Sequence, residues 1–145
     1  MTFDLTLSGQ DLLLLAPEIF LTVWLCVVLA IDFSIKNVDH ENLAYLSVGG
    51  IIATLVNLIW FDYVGVHGSL FKDMFVLDGV AIFFKIIVLL ATALVLLSSI
   101  DYVKTFRFFR GEYYILVMMS ALGMMFMASA QDLLSVFVTL ESVSY

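Results

Sequence analysis

Four long apolar runs, parted by short polar stretches, dominate the pattern along the chain. They occupy residues 12–31, 43–61, 79–100 and 113–130, and a fifth run begins at Leu133. A helix needs about 17–25 predominantly apolar residues to cross a bilayer. Each of the four complete runs therefore predicts a transmembrane helix. Pro17 and Glu18 interrupt the first run early. Proline is tolerated in the first turn of a helix, and an acid there suits the helix dipole. Two readings follow: a helix that starts at Pro17 with Leu12–Ala16 in the interface, or a kinked helix through the whole run. Asp132 reads as an N-cap for the fifth helix. Thirteen residues follow it, ending at Tyr145, too few to cross. The expected fold is an all-α integral membrane protein: a polytopic helix bundle with four complete transmembrane helices and the start of a fifth. Residues 1–145 are read as one membrane domain, the N-terminal fragment of a larger subunit.

Composition supports that class. Hydrophobic residues make up 63% of the 145 and charged residues 13%, and mean hydropathy is +1.13. Soluble domains carry about 45–50% apolar and about 25% charged residues. The net charge of −7 excludes the basic footprint of a nucleic-acid binder and polybasic attachment to anionic lipid. The single cysteine, Cys26, has no internal disulfide partner. No basic residue precedes the first apolar run, so no signal peptide is expected.

Lysine and arginine set the expected orientation, because they concentrate on the cytoplasmic side. Lys36 follows the first span, and Lys104, Arg107 and Arg110 follow the third. The opposite side holds the N-terminal tail and the 62–78 loop, where Lys72 is the one basic residue. The N-terminus of this multi-pass protein is thus expected outside. Helix five then runs inward, and Glu141 lies nine residues past Asp132, about 13 Å deep at 1.5 Å per residue.

Glu141 is the first candidate for chemistry. A charged side chain within an apolar span costs about 2.5–3.5 kcal/mol on insertion scales, so it marks a pathway or a partner. A carboxyl held away from water can bind a proton in one state and release it in another. Tyr145, one turn further on the same face, and Ser144 are its candidate supports. The bland reading is an interfacial acid near a helix end. Lys85 is the other intramembrane charge, with two readings: a long side chain that snorkels to the headgroups, or a partner for Glu141 or for an acid on a helix beyond Tyr145. Asp78 lies two turns before Lys85 on nearly the same face.

The remaining singular residues read as structural. Glu18 and Asp32 bracket helix one and are expected at its interfacial ends. His40 and His67 fall in loops on opposite sides, which speaks against a bis-histidine haem anchor. Met118, Met119, Met124, Met125 and Met127 suit adaptable packing better than soft-metal ligation. Ser120, Ala121, Gly123, Ala128 and Ala130 leave room for close helix approach, as does Gly49-Gly50 in helix two. No zinc, phosphate-loop or nucleophile motif is present in the sequence, so no redox chemistry, metal or bound cofactor is expected of this chain.

One ordered set of segments resembles a known family. Gly111-Glu112-Tyr113-Tyr114 leads to Ser120-Ala121-Leu122-Gly123-Met124-Met125, then Ser129-Ala130-Gln131-Asp132-Leu133-Leu134 and Leu140-Glu141-Ser142-Val143-Ser144-Tyr145. With Ala16-Pro17-Glu18-Ile19-Phe20-Leu21 and Leu77-Asp78-Gly79-Val80-Ala81-Ile82-Phe83-Phe84-Lys85, it is similar to the antiporter-like subunits of respiratory complex I. Within that group it resembles subunit N of NADH-quinone oxidoreductase, the counterpart of mitochondrial NADH dehydrogenase subunit 2. The resemblance implies a proton-translocating, non-redox subunit of a complex that uses NADH and quinone elsewhere. It implies other membrane subunits as partners, with the lipid bilayer and without nucleic acid, in the bacterial inner membrane or, for an organellar protein, the mitochondrial inner membrane. It also implies a bundle of about fourteen helices with inverted repeats. In that family a glutamate of the fifth helix pairs with a lysine of a later helix, and Glu141 matches that glutamate. Two other readings stand beside it: a cation/proton antiporter or membrane-bound hydrogenase subunit of similar architecture, and a structural membrane scaffold.

Overall fold

The computed structural model describes residues 9–34, 40–65, 67–70, 75–105, 110–131 and 133–144. The short helix α1 (Gly9–Leu14) leads into α2 (Ala16–Ser34), followed by α3 (His40–Val64), strands β1 (Gly68–Leu70) and β2 (Phe75–Leu77), α4 (Gly79–Thr105), α5 (Arg110–Ser129) and α6 (Leu133–Ser144). Helices α2 to α5 are each long and apolar enough to cross a membrane. The four expected spans and the start of a fifth helix are all present.

The open question about the first run is resolved by a break at Leu15. Helix α2 begins beside it, with Pro17 in its first turn, where the missing N–H costs nothing. The 62–78 segment, expected as a loop, holds an antiparallel hairpin pairing Gly68 with Leu77 and Leu70 with Phe75. Gly65, at φ +75°, ends α3 in a left-handed conformation that suits glycine. Asp78 caps α4: the Ala81 N–H donates to its Oδ1 at 2.8 Å, and the Ile82 N–H to its carbonyl at 3.0 Å. A backbone bridge between Phe75 and Ala130 ties the hairpin to the end of α5. The starts of α2, α4 and α6 therefore gather at the hairpin end of the bundle.

The buried positions form narrow seams. On α4 they include Ile82, Lys85, Leu89, Thr92, Leu96 and Ser99; on α5, Tyr114, Met118, Ala121 and Met125. This alternating three-and-four spacing keeps one stripe of each helix against its neighbours. The outward faces carry large apolar residues such as Val27, Ile52, Val56, Phe83, Leu90 and Leu94, as lipid contact requires. Buried or half-buried hydroxyls turn back onto their own helices: Ser47 donates to the Leu43 carbonyl at 2.9 Å, Thr54 to Gly50 at 2.8 Å and Thr92 to Val88 at 2.7 Å. That satisfies each donor where water is absent. Close approach occurs at two expected glycines. The Trp24 indole lies on Gly50 and donates to the Leu46 carbonyl at 2.9 Å. Val143 of α6 comes so near Gly123 that an added Cβ would meet its Cγ2 at 2.6 Å.

Candidate functional site

Glu18 and Lys85 form an ion pair between α2 and α4, and both side chains are completely buried. Glu18 stands in the first turn of α2 and Lys85 in the second turn of α4. Because both helices start at the hairpin end, the two charges reach similar depth. Both lie on buried stripes: Glu18 continues that of Leu21, Leu25 and Val28, and Lys85 that of Leu89 and Leu96. The hairpin covers the pair from one side. The Phe75 ring centre of β2 lies 5.0 Å from Lys85 Nζ, a cation–π contact worth about 0.5–2 kcal/mol. Two charges removed from water are costly, and their attraction offsets the cost only at close range. Among the described residues, neither carboxylate oxygen nor Nζ has a further hydrogen-bond partner.

This arrangement corrects two expectations. Glu18 is not an interfacial end residue, because α1 and the hairpin extend the protein beyond the start of α2. Lys85 faces the bundle rather than the headgroups, and within the described residues its partner is Glu18, not Glu141. A signal for the buried face of α4 was present in the sequence: Asp78, Lys85, Thr92 and Ser99 recur every seven residues. In an otherwise apolar span, polar residues turn inward.

A groove of about 550 Å³ runs beside the pair, between α2, β2, the end of α5 and α6. Its polar lining is Glu18, Thr22, Ser135 and Thr139, amid apolar side chains that include Phe75 and Phe126. Thr22 donates to the Glu18 carbonyl at 2.7 Å, and Thr139 to the Ser135 carbonyl at 2.8 Å. Leu134 and Val138 line the groove from α6, and Glu141 follows on the same helix face at the next turn. Glu141 and Ser144 are exposed on α6. Asp78 is exposed and serves as the cap of α4. Tyr145, expected beside Glu141, and Asp132, expected as the cap of α6, lie outside the described residues. Among the described residues, no group of three or more His, Cys, Asp or Glu side chains could hold a metal ion.

Helices that hide an acid–base pair within their spans and turn apolar side chains outward define a polytopic membrane protein with a charged interior. Comparison with known proteins narrows the class. The chain is 39% identical over 128 residues to NADH-quinone oxidoreductase subunit N of Dehalococcoides mccartyi, covering 88% of this chain and 26% of that protein. It is 41% identical over 106 residues to the subunit N of Heliobacterium modesticaldum, covering 73% and 22%. With subunit N 2 of Koribacter versatilis it shares 36% over 145 aligned residues, covering 96% and 30%. No family model matches. Over most of its own length the chain is thus similar to N subunits, and it spans about a quarter of the length of the curated relatives it matches.

Proposed function

We propose that this chain is part of a membrane subunit of a proton-pumping NADH:quinone oxidoreductase and contributes to proton translocation. The similarity to subunit N over most of the chain carries this reading. The apolar outer faces and the intramembrane charges support it. The protein works in a bacterial inner membrane with the N-terminus outside, beside other membrane subunits of the complex. NADH and quinone bind elsewhere in the complex, so this chain is a non-redox part of the enzyme.

Glu141 is the proton-handling acid of this reading. Its carboxylate stabilises the charged form of a lysine on a helix beyond residue 145. When that pair opens, the lysine releases its proton along a hydrated file, and a driving event elsewhere arrives as a shifted charge. Lys85 takes part through its own pair with Glu18, while Ser144 and Tyr145 support Glu141. The test is Glu141→Gln in the full-length subunit within the intact complex. Proton pumping into inverted membrane vesicles is expected to fall at least tenfold while native gels show normal assembly. An assembled Glu141→Gln complex that pumps like the parent would leave a scaffold role instead.

A further inference from the structure

A fully buried acid–base pair that also borders an open groove is more than a clamp between two helices. Glu18 is sealed from bulk solvent yet forms part of the groove wall. The groove, about 550 Å³, has the volume of about eighteen water molecules at roughly 30 Å³ each. Thr22, Ser135 and Thr139 are the hydroxyl-bearing residues of a mainly apolar wall; the Thr22 and Thr139 hydroxyls donate to carbonyls of their own helices and keep lone pairs to accept from water. The stripe of Leu134 and Val138 leads on to Glu141, about 10 Å along α6 from Leu134 at 1.5 Å per residue.

We propose that Glu18 and Lys85 form a proton-exchanging ion pair, reached through this groove, that passes protons along α6 to Glu141. The inference rests on the proton-translocating reading above and adds a second site to it. In the closed state Glu18 is a carboxylate and Lys85 an ammonium. A proton delivered by groove water adds to Glu18, and the neutral acid no longer holds the ammonium. Lys85 then leans on the Phe75 ring, 5.0 Å from Nζ. The proton leaves Glu18 through groove water and the Ser135 and Thr139 hydroxyls, adds to the Glu141 carboxylate, and the pair recloses. Lys85 keeps its own protons throughout, so one proton enters and one moves on. Among the described residues, the other titratable group near the pair is Asp78 at the start of α4. The packed faces of β2 and α5 offer Phe75 and Phe126.

The test uses the intact complex carrying the full-length subunit. The double variant Glu18→Gln/Lys85→Gln removes both charges, so no lone charge is left buried. Glu18→Asp keeps the pair but shortens the acid. The double variant is expected to assemble and to pump at least fivefold less per NADH oxidised. The Glu18→Asp complex is expected to assemble with a displaced pH profile of pumping. In a background freed of other cysteines, including Cys26, Thr139→Cys is expected to react with a charged, membrane-impermeant thiol reagent. A double variant that pumps like the parent, or a failure of both pair variants to assemble, would make the pair structural and overturn the proposal. An unreactive Thr139→Cys would overturn the hydrated path. Glu141→Gln, measured in parallel, separates the two readings. If it pumps normally the proton-translocating reading itself fails, whereas loss of pumping there with normal pumping in the double variant removes the Glu18–Lys85 site alone.

Discussion

At the scale of single residues, the buried pair is an obligation as well as an opportunity. Lys85 is fully buried, and among the described residues its ion-pair partner is Glu18. Removing one member leaves the other charged and alone, which typically costs about 3–5 kcal/mol. Lys85→Met is therefore expected to destabilise the protein in detergent by about that amount, read as a lowered midpoint of thermal unfolding. Glu18→Leu combined with Lys85→Met is expected to recover most of the loss, because a neutral apolar pair needs no desolvation. A single variant as stable as the parent would show that the pair does not hold α2 to α4. Glu18 itself looked in the sequence like an ordinary first-turn acid. Nothing local distinguishes an acid that faces headgroups from one that a hairpin more than about fifty residues downstream covers.

At the scale of helices, the seams decide what packs. Each span is apolar on every side, so hydrophobicity does not single out the inward face. Small and polar residues do. Gly50 receives the Trp24 indole, whose N–H reaches the Leu46 carbonyl at 2.9 Å. Ser99 meets the Tyr113 hydroxyl at 2.7 Å and joins α4 to α5. Gly50→Val would force the indole off its seat and break that hydrogen bond. The expected cost is about 1–3 kcal/mol, as for other overpacked sites. With Trp60 replaced by phenylalanine, Trp24 fluorescence reports the change; unaltered emission and unfolding midpoint would mean that α2 and α3 do not pack there. The role of Gly123 was readable from its small neighbours. That of the heptad Asp78, Lys85, Thr92 and Ser99 was readable in principle from its spacing.

At the scale of the whole molecule, polarity is inverted relative to a soluble domain. Charge and hydroxyls sit inside, and Val27, Ile52, Val56, Phe83 and Leu94 face outward. The hairpin and the starts of α2, α4 and α6 occupy one end, and Lys104 and Arg110, at the end of α4 and the start of α5, lie toward the other. Ser69, exposed in β1, marks the hairpin end. Ser69→Cys is expected to react with an impermeant thiol reagent added to intact cells, since basic loops stay in the cytoplasm. Labelling confined to inverted vesicles would reverse the orientation. The groove beside α6 belongs to this scale too, since four separate elements must meet to form it.

The number, length and helical nature of the spans were determined by the sequence alone, because a bilayer accepts few other solutions to backbone hydrogen bonding. Glu141 stood out for the same reason: a charge within an apolar run is conspicuous wherever the chain goes. The partner of Lys85 was decided only by the tertiary structure. Glu18 and Lys85 are separated in sequence by the rest of α2, by α3 and by the hairpin, and their meeting depends on which stripe of each uniformly apolar helix turns inward. That choice is made by packing, at glycines, hydroxyls and the covering strand, and no single segment contains it.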